Sequence, residues 1–264
     1  MIVMIVNSLG SIVEKKFYRK KKTMIRRANL REVSVVILSV LTTGILFGCA
    51  KSASSSNSPA NSLTYITVMN LAPYSPAAEV FLNGTQVTGA ILPGNYSGSY
   101  AHLTPNSYDV KFETASDSVL GEIGSSSYDT AHFYTLILYN DSIHGPAKAV
   151  KIFDDFSTIT LSNSYIRFMH MCLELPGVDL YINGSPVQQN RVAKDNVTNE
   201  TFNIFQPVPA GAFTLQVKKA GTDSVLGSLN STTLAAGNAY TVFLSGSASS
   251  SSNPISLNIL QAVY

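Results

Sequence analysis

The chain repeats itself at a constant offset, and nothing else in the sequence constrains its fold as tightly. Tyr65-Ile66-Thr67-Val68-Met69 is matched by Tyr165-Ile166-Arg167-Phe168-Met169, Pro76 by Pro176, and Val87 by Val187. Glu79-Val80-Phe81-Leu82-Asn83-Gly84 is matched by Asp179-Leu180-Tyr181-Ile182-Asn183-Gly184. Further on, Asp117-Ser118-Val119-Leu120-Gly121 recurs as Asp223-Ser224-Val225-Leu226-Gly227, and Tyr134-Thr135 as Tyr240-Thr241, with the offset enlarged by a short insertion. Two copies of one domain follow, over 63–160 and 161–264.

Each copy reads as β structure. Asn83-Gly84 and Asn183-Gly184 sit between apolar runs and supply the two positive φ values of a type I′ hairpin turn. Tyr108 to Phe112 and Phe213 to Val217 alternate apolar and polar residues, as half-buried strands do. Tyr134 to Tyr139 and Tyr240 to Leu244 are later strands, each preceded by a turn-rich segment, and Ala147 to Phe153 and Ile255 to Tyr264 close the copies. A hydrophobic fraction of 45% with 13 Tyr and 12 Phe fits strands better than helices. The expected fold class is all-β: two tandem antiparallel, Ig-like β-sandwiches.

Ahead of the repeats, an apolar run from Val33 to Phe47 follows Arg26, Arg27 and Arg31 and ends at Gly48-Cys49. Basic, apolar and small-residue segments in that order mark a secretory signal. A run of about 15 residues is short of the roughly 20 that a membrane-crossing helix needs. Residues 1–48 therefore read as a leader, with Met24 the expected true start behind an unusually long basic prefix. Residues 49–62 collapse to Ser, Asn, Ala and Pro and read as a tether.

Counted from Cys49, nine basic side chains face fourteen acidic ones, because half of the Lys and Arg lie in the leader. No basic footprint for nucleic acid remains. Acylation of Cys49 leaves Cys172 without an intrachain partner, which excludes a disulfide framework; within the apolar run Phe168 to Leu175 it reads as a packed small hydrophobe.

The Leu46-Phe47-Gly48-Cys49 ending resembles the bacterial lipobox, which implies an acylated Cys49 as the first mature residue. The opening strand, the Pro, the acidic-apolar-aromatic-apolar-Asn-Gly hairpin and the Tyr-Thr strand together resemble the bacterial domain-of-unknown-function family 4397. Pro176-Gly177-Val178-Asp179-Leu180-Tyr181-Ile182-Asn183-Gly184 carries the resemblance best, whereas Ala77-Ala78-Glu79 keeps the acid but loses the Gly. That family implies exported, often tandem modules and supplies no catalytic residues. Lipoprotein signal, Ser-rich tether and Tyr/Asn-rich strands are similar to envelope proteins of Bacteroidetes type. Asp117-Ser118-Val119, Asp129-Thr130-Ala131, Asp141-Ser142-Ile143 and Asp223-Ser224-Val225 resemble an O-glycosylation acceptor motif, which would modify Ser118, Thr130, Ser142 and Ser224. Asp and Ser also build turns by themselves, and the turn reading is preferred.

Chemistry is sparse. His102, His132, His144 and His170 lack metal-ligand spacing. Asp154-Asp155 are adjacent, so in a strand they point to opposite faces, and a solvated turn is expected there. Asp195 to Glu200 offers oxygens without the Gly or spacing of a calcium loop, so a polar loop is expected. No phosphate loop, nucleophile elbow or dinucleotide fingerprint occurs. No cofactor or metal is expected, and no enzyme; a hydrolase ranks lowest. The leading expectation is a non-catalytic lipoprotein of the cell envelope, anchored by lipid in the outer membrane and facing the periplasm or the surface. Its modules would bind a glycan or an envelope protein, with Tyr74, Tyr96 and Tyr100 as candidate contacts. The alternative is an assembly subunit that pairs an edge strand with another chain.

Overall fold

The computed structural model describes residues 63–262. The leader, Met24, Cys49 and the tether lie outside the described residues. The first copy runs β1 (Thr64–Asn70), β2 (Glu79–Leu82), β3 (Thr85–Gln86), β4 (Asn95–Tyr96), β5 (Ala101–Leu103), β6 (Asn106–Glu113), β7 (Val119–Tyr128), β8 (Phe133–Asn140) and β9 (Ala147–Asp154). The second runs β10 (Ser164–His170), β11 (Val178–Ile182), β12 (Ser185–Arg191), a helical turn α1 (Asp195–Thr198), a 3-10 turn (Glu200–Asn203), β13 (Gln206–Val208), β14 (Gly211–Lys219), β15 (Val225–Leu234), β16 (Ala239–Ser245) and β17 (Ser256–Ala262).

Each copy is a sandwich of two sheets. In the first, β1-β8-β9 with β4 and β5 on the far side of β1 faces β3-β2-β6-β7; in the second, β13-β10-β16-β17 faces β12-β11-β14-β15. The hairpins form where Asn-Gly predicts them. Asn83 and Gly84 have φ of 48° and 79°, Asn183 and Gly184 have 47° and 79°, and Leu82 pairs Thr85 as Ile182 pairs Ser185.

Two features differ from the expectation. The sheets are antiparallel except at their centres, where β1 runs parallel to β8 and β10 parallel to β16. The chain leaves β1, builds the whole opposite sheet and returns, and that crossover permits the parallel pairing. The segments read as turn-rich before Tyr134 and Tyr240 hold the ten-residue strands β7 and β15. Both are edge strands with mostly solvent-facing residues, so Ser and Gly replace the apolar signal of a strand.

The central strands are buried on both faces. Along β1 and β8, Ile66, Val68, Tyr134, Leu136 and Leu138 point into the first sandwich, and along β10 and β16, Ile166, Phe168, Tyr240, Val242 and Leu244 point into the second. The alternate residues meet between the copies: Met69, Leu71, Ile137 and Ile152 with Met169, Met171, Phe243 and Leu260. By strand register these are the same four positions from each copy. The repeats therefore pack as an intrachain pair through one shared patch, in the way an isologous dimer does.

A buried aromatic in that shared layer belongs to both copies. Phe243→Ala should cost about 3–5 kcal/mol. Urea-dependent amide exchange should show β8 and β16 losing protection together, not β16 alone.

Candidate functional site

Where the copies meet, the apolar layer gives way to a polar centre. Arg167 on β10 is fully buried, and its Nη1 donates to Asp154 Oδ1 on β9 at 2.5 Å. Its Nη2 donates to the hydroxyls of Thr135 and Thr241 at 3.1 and 3.0 Å, its Nε to Thr241 at 3.2 Å, and the Phe205 ring lies 4.5 Å from its guanidinium carbon. The second Asp154 oxygen accepts from Tyr100 and Thr135, each at 2.6 Å. Each guanidinium nitrogen and each carboxylate oxygen thus has a hydrogen-bond partner, the condition under which a buried pair is tolerated. The solvated turn expected at Asp154-Asp155 is corrected: the two do point apart, with Asp155 exposed, but Asp154 is buried as the counter-ion of the second copy.

The three candidate tyrosines all lie along this seam. Tyr100 hydrogen-bonds Asp154, and burial followed by that negative charge holds its phenol well above the usual value. Tyr96 sits edge-on to Phe243 and donates to the Ile259 carbonyl at 3.3 Å. Tyr74 donates to Glu174 at 2.8 Å. Glu174 also accepts from the hydroxyls of Ser249 at 2.6 Å and Ser247 at 3.0 Å and from the Ala248 amide, so it ties the first copy to the second copy's Ser-rich loop. These bonds, the Ser249 hydroxyl first, pull its carboxyl down to about 2. Asp141 is held at about 2 by Lys148 and by Lys194 of the second copy.

Beside the seam lies a cleft of about 670 Å³. One wall is the outer half of β9, Val150 to Phe153, continued by Asp155 and Thr158; the other is the second copy's segment from Asn196 to Ile204. Sequence spacing accounts for it. Gly94 and Lys194 both take positive φ and both donate their N–H to the equivalent carbonyls of Asn70 and His170. From there to the strands that pair with Tyr65 and Tyr165, at His102 and Pro207, the second copy is five residues longer. The extra residues fold as α1 and the 3-10 turn. A second cavity of about 340 Å³ lies on the other side of this wall, lined by Gln188, Phe202 and Gln206 among others.

The wall is internally braced. Asp195 takes Arg191 through both oxygens at 2.7 Å, and Phe202 lies 4.3 Å from that guanidinium. Asn196 donates to the Phe202 carbonyl at 2.8 Å and pairs with Asn203. Asp195 and Asn196 are therefore spent on structure: the polar loop expected over Asp195 to Glu200 is a helical turn with both residues buried, because Arg191 and Asn203 satisfy their side chains. Among the described residues no group of His, Cys, Asp or Glu is placed to hold a metal. Exposed Phe153 and Ile204 and the carboxylates of Asp155 and Glu200 face the cleft. Lys151 donates to the Ser127 carbonyl at 2.8 Å across the Tyr128 ring, and burial lowers its pKa.

His170 is a core residue: its Nδ1 accepts the Cys172 N–H, and its Nε2 lies 3.3 Å from the Pro176 carbonyl. Asn70 makes the same two bonds in the first copy, to Ala72 and Pro76. His102 and His144 are exposed, and the His132 ring lies 5.1 Å from that of Phe153, tilted by 59°. Cys172 is buried, and burial pushes its thiol up to about 12. Ser118, Thr130, Ser142 and Ser224 are all exposed outside the strands.

A family model described as Domain of unknown function (DUF4397) matches residues 64–181 and again 164–261. The chain belongs to the DUF4397 family. No curated protein matches it. The first DUF4397 match runs through the Arg167 strand into the second repeat, and the second begins at β10, so the two matches overlap on the strand that joins the repeats.

Sequence reasoning did not reach Arg167 and Asp154 as a pair, although the repeat alignment marks them. Thr67 stands opposite Arg167 in the alignment, and by register Ala262 stands where Asp154 does. The two charges are thus specific to one copy each.

Two measurements follow from these ionisations. Glu174 contributes stability fully present above its unfolded pKa of about 4.3 and lost as pH falls toward 2. Glu174→Gln should therefore flatten the loss of unfolding midpoint between pH 4.5 and 2. Cys172 should resist iodoacetamide at pH 8 in the native protein and react on addition of denaturant, as mass spectrometry would record.

Proposed function

We propose that this protein is a non-catalytic lipoprotein of the cell envelope, anchored in the outer membrane through acylated Cys49, whose fused DUF4397 pair binds another envelope macromolecule in the cleft between its repeats. The observation that carries this reading is the cleft itself. It exists because one repeat departs from the other by an insertion, and its far wall is braced by the Arg191, Asp195, Asn196 and Asn203 bonds. A volume of about 670 Å³ falls within the range of ligand sites. Exposed apolar Phe153 and Ile204 beside the carboxylates of Asp155 and Glu200 are the composition of a recognition surface. The amides of the wall are engaged in holding its shape, which favours holding a partner over transforming one.

The membrane part of the reading rests on the Leu46-Phe47-Gly48-Cys49 sequence. Cys49→Ala should abolish metabolic labelling with palmitate and release the protein from the membrane fraction; retained label would reject the anchor. For the cleft, a photo-crosslinking amino acid at Ile204 of the full acylated chain in its native envelope should yield a defined adduct. The same probe at exposed Val225, on the opposite sheet of the second repeat, should not.

A further inference from the structure

We infer that the cleft binds its partner by strand addition, with the open edge of β9 accepting an extended polypeptide segment through the backbone of Lys151 and Phe153; this rests on the cleft reading above.

The starting point is that β9 is the last strand of its sheet. Val150, Lys151, Ile152 and Phe153 all line the cleft although successive side chains point to opposite faces, so the cleft looks onto the strand's edge. The first half of that edge is covered: a Cβ on Gly121 of β7 would come within 2.9 Å of the Lys148 carbonyl carbon. The second half is open, with Phe153 exposed by 49%.

The other repeat shows what belongs there. By register, Ile259 of β17 is the equivalent of Lys151, since Val242 and Leu136 occupy matching positions and pair with them. Gly227 approaches β17 at Leu257 as Gly121 approaches β9. The Ile259 carbonyl then accepts a hydrogen bond from Tyr96, so this position directs its backbone outward and is completed by a donor from the facing repeat. In the first repeat the equivalent carbonyl, on Lys151, faces the cleft, because the insertion carries the facing segment away from the edge. In an antiparallel pair the outward residues alternate, which adds the N–H and C=O of Phe153 to those of Lys151. Among the described residues, none of these groups has a hydrogen-bond partner outside its own sheet.

Exposed edges of this kind are normally blunted, and an unblunted one invites a strand. The side chains define the guest. Phe153, Val197 and Ile204 take apolar residues, while Asp155 and Glu200, on opposite walls, favour a basic one. The partner is a protein segment in extended conformation with an apolar residue next to a Lys or Arg.

The test uses the full acylated chain, crosslinked in its native envelope through a photoreactive residue at Ile204, which leaves β9 intact. The adduct is identified, and hydrogen exchange is compared with the uncrosslinked protein. The proposal expects a polypeptide adduct, with the Lys151 and Phe153 amides exchanging about two- to tenfold more slowly, as for the gain of one ordinary hydrogen bond each. Phe153→Pro removes one outward N–H from an edge strand, where Pro is tolerated, and should lower the adduct yield about two- to tenfold with protection of β8 and β16 retained. A glycan adduct, or a polypeptide adduct with exchange at Lys151 and Phe153 unchanged, would overturn strand addition and leave cleft binding standing. Absence of any adduct would overturn both.

Discussion

The ion pair between Arg167 and Asp154 is the constraint around which the two repeats are arranged. Each group is buried, each belongs to a different repeat, and each would be left uncompensated if its repeat met another through the same dry face without the opposite charge. A buried pair adds little net stability over an apolar contact, but a buried unpaired ion is costly by several kcal/mol. The pair therefore acts chiefly by penalising alternatives. If two first repeats met through the same face, Thr67 would oppose Asp154; if two second repeats met, Arg167 would oppose Ala262. Only the unlike combination satisfies both charges. The apolar positions around it are shared by the two repeats, so they supply attraction without choosing a partner, and the charges supply the choice.

From this seam the rest of the molecule follows. Strands β1, β8, β10 and β16 are covered on both faces, which leaves the sheet edges, the loops and the line where the repeats meet as exposed surface. The loop ends are tied across the seam by Glu174 and by Asp141 with Lys194. What remains open is the flank along which the two repeats differ in length. Near-symmetry closes the β17 side with Tyr96, and its breaking opens the β9 side. The candidate site lies where two like repeats differ in length by five residues.

Much of this architecture was legible in the sequence. The duplication, the Asn-Gly hairpins and the Tyr-Thr strands all rest on local patterns whose physics is short-range, and they form where those patterns place them. The parallel centres were not legible, since strand direction depends on how the chain crosses between sheets. Strands β7 and β15 escaped because an edge strand facing water needs few apolar residues. The tyrosines Tyr74, Tyr96 and Tyr100 lie at the seam between repeats, where aromatic bodies with polar tips serve an internal interface as well as an external one. Asp154 was read as exposed because its counter-ion lies in the other repeat, a contact that local sequence cannot report. The one trace of it was the mismatch of Thr67 with Arg167 inside an otherwise matched strand.

A double-mutant cycle on the full chain tests the central claim most directly, using each repeat's own alternative residue: Asp154→Ala, Arg167→Thr and the two together, each measured by equilibrium unfolding. Each single change should cost about 3–5 kcal/mol by stranding a buried charge, and the double change should cost clearly less than their sum, with both repeats still unfolding in one transition. Additive costs, or separate transitions for the two repeats in the unmodified protein, would contradict the view that this pair specifies how the repeats join.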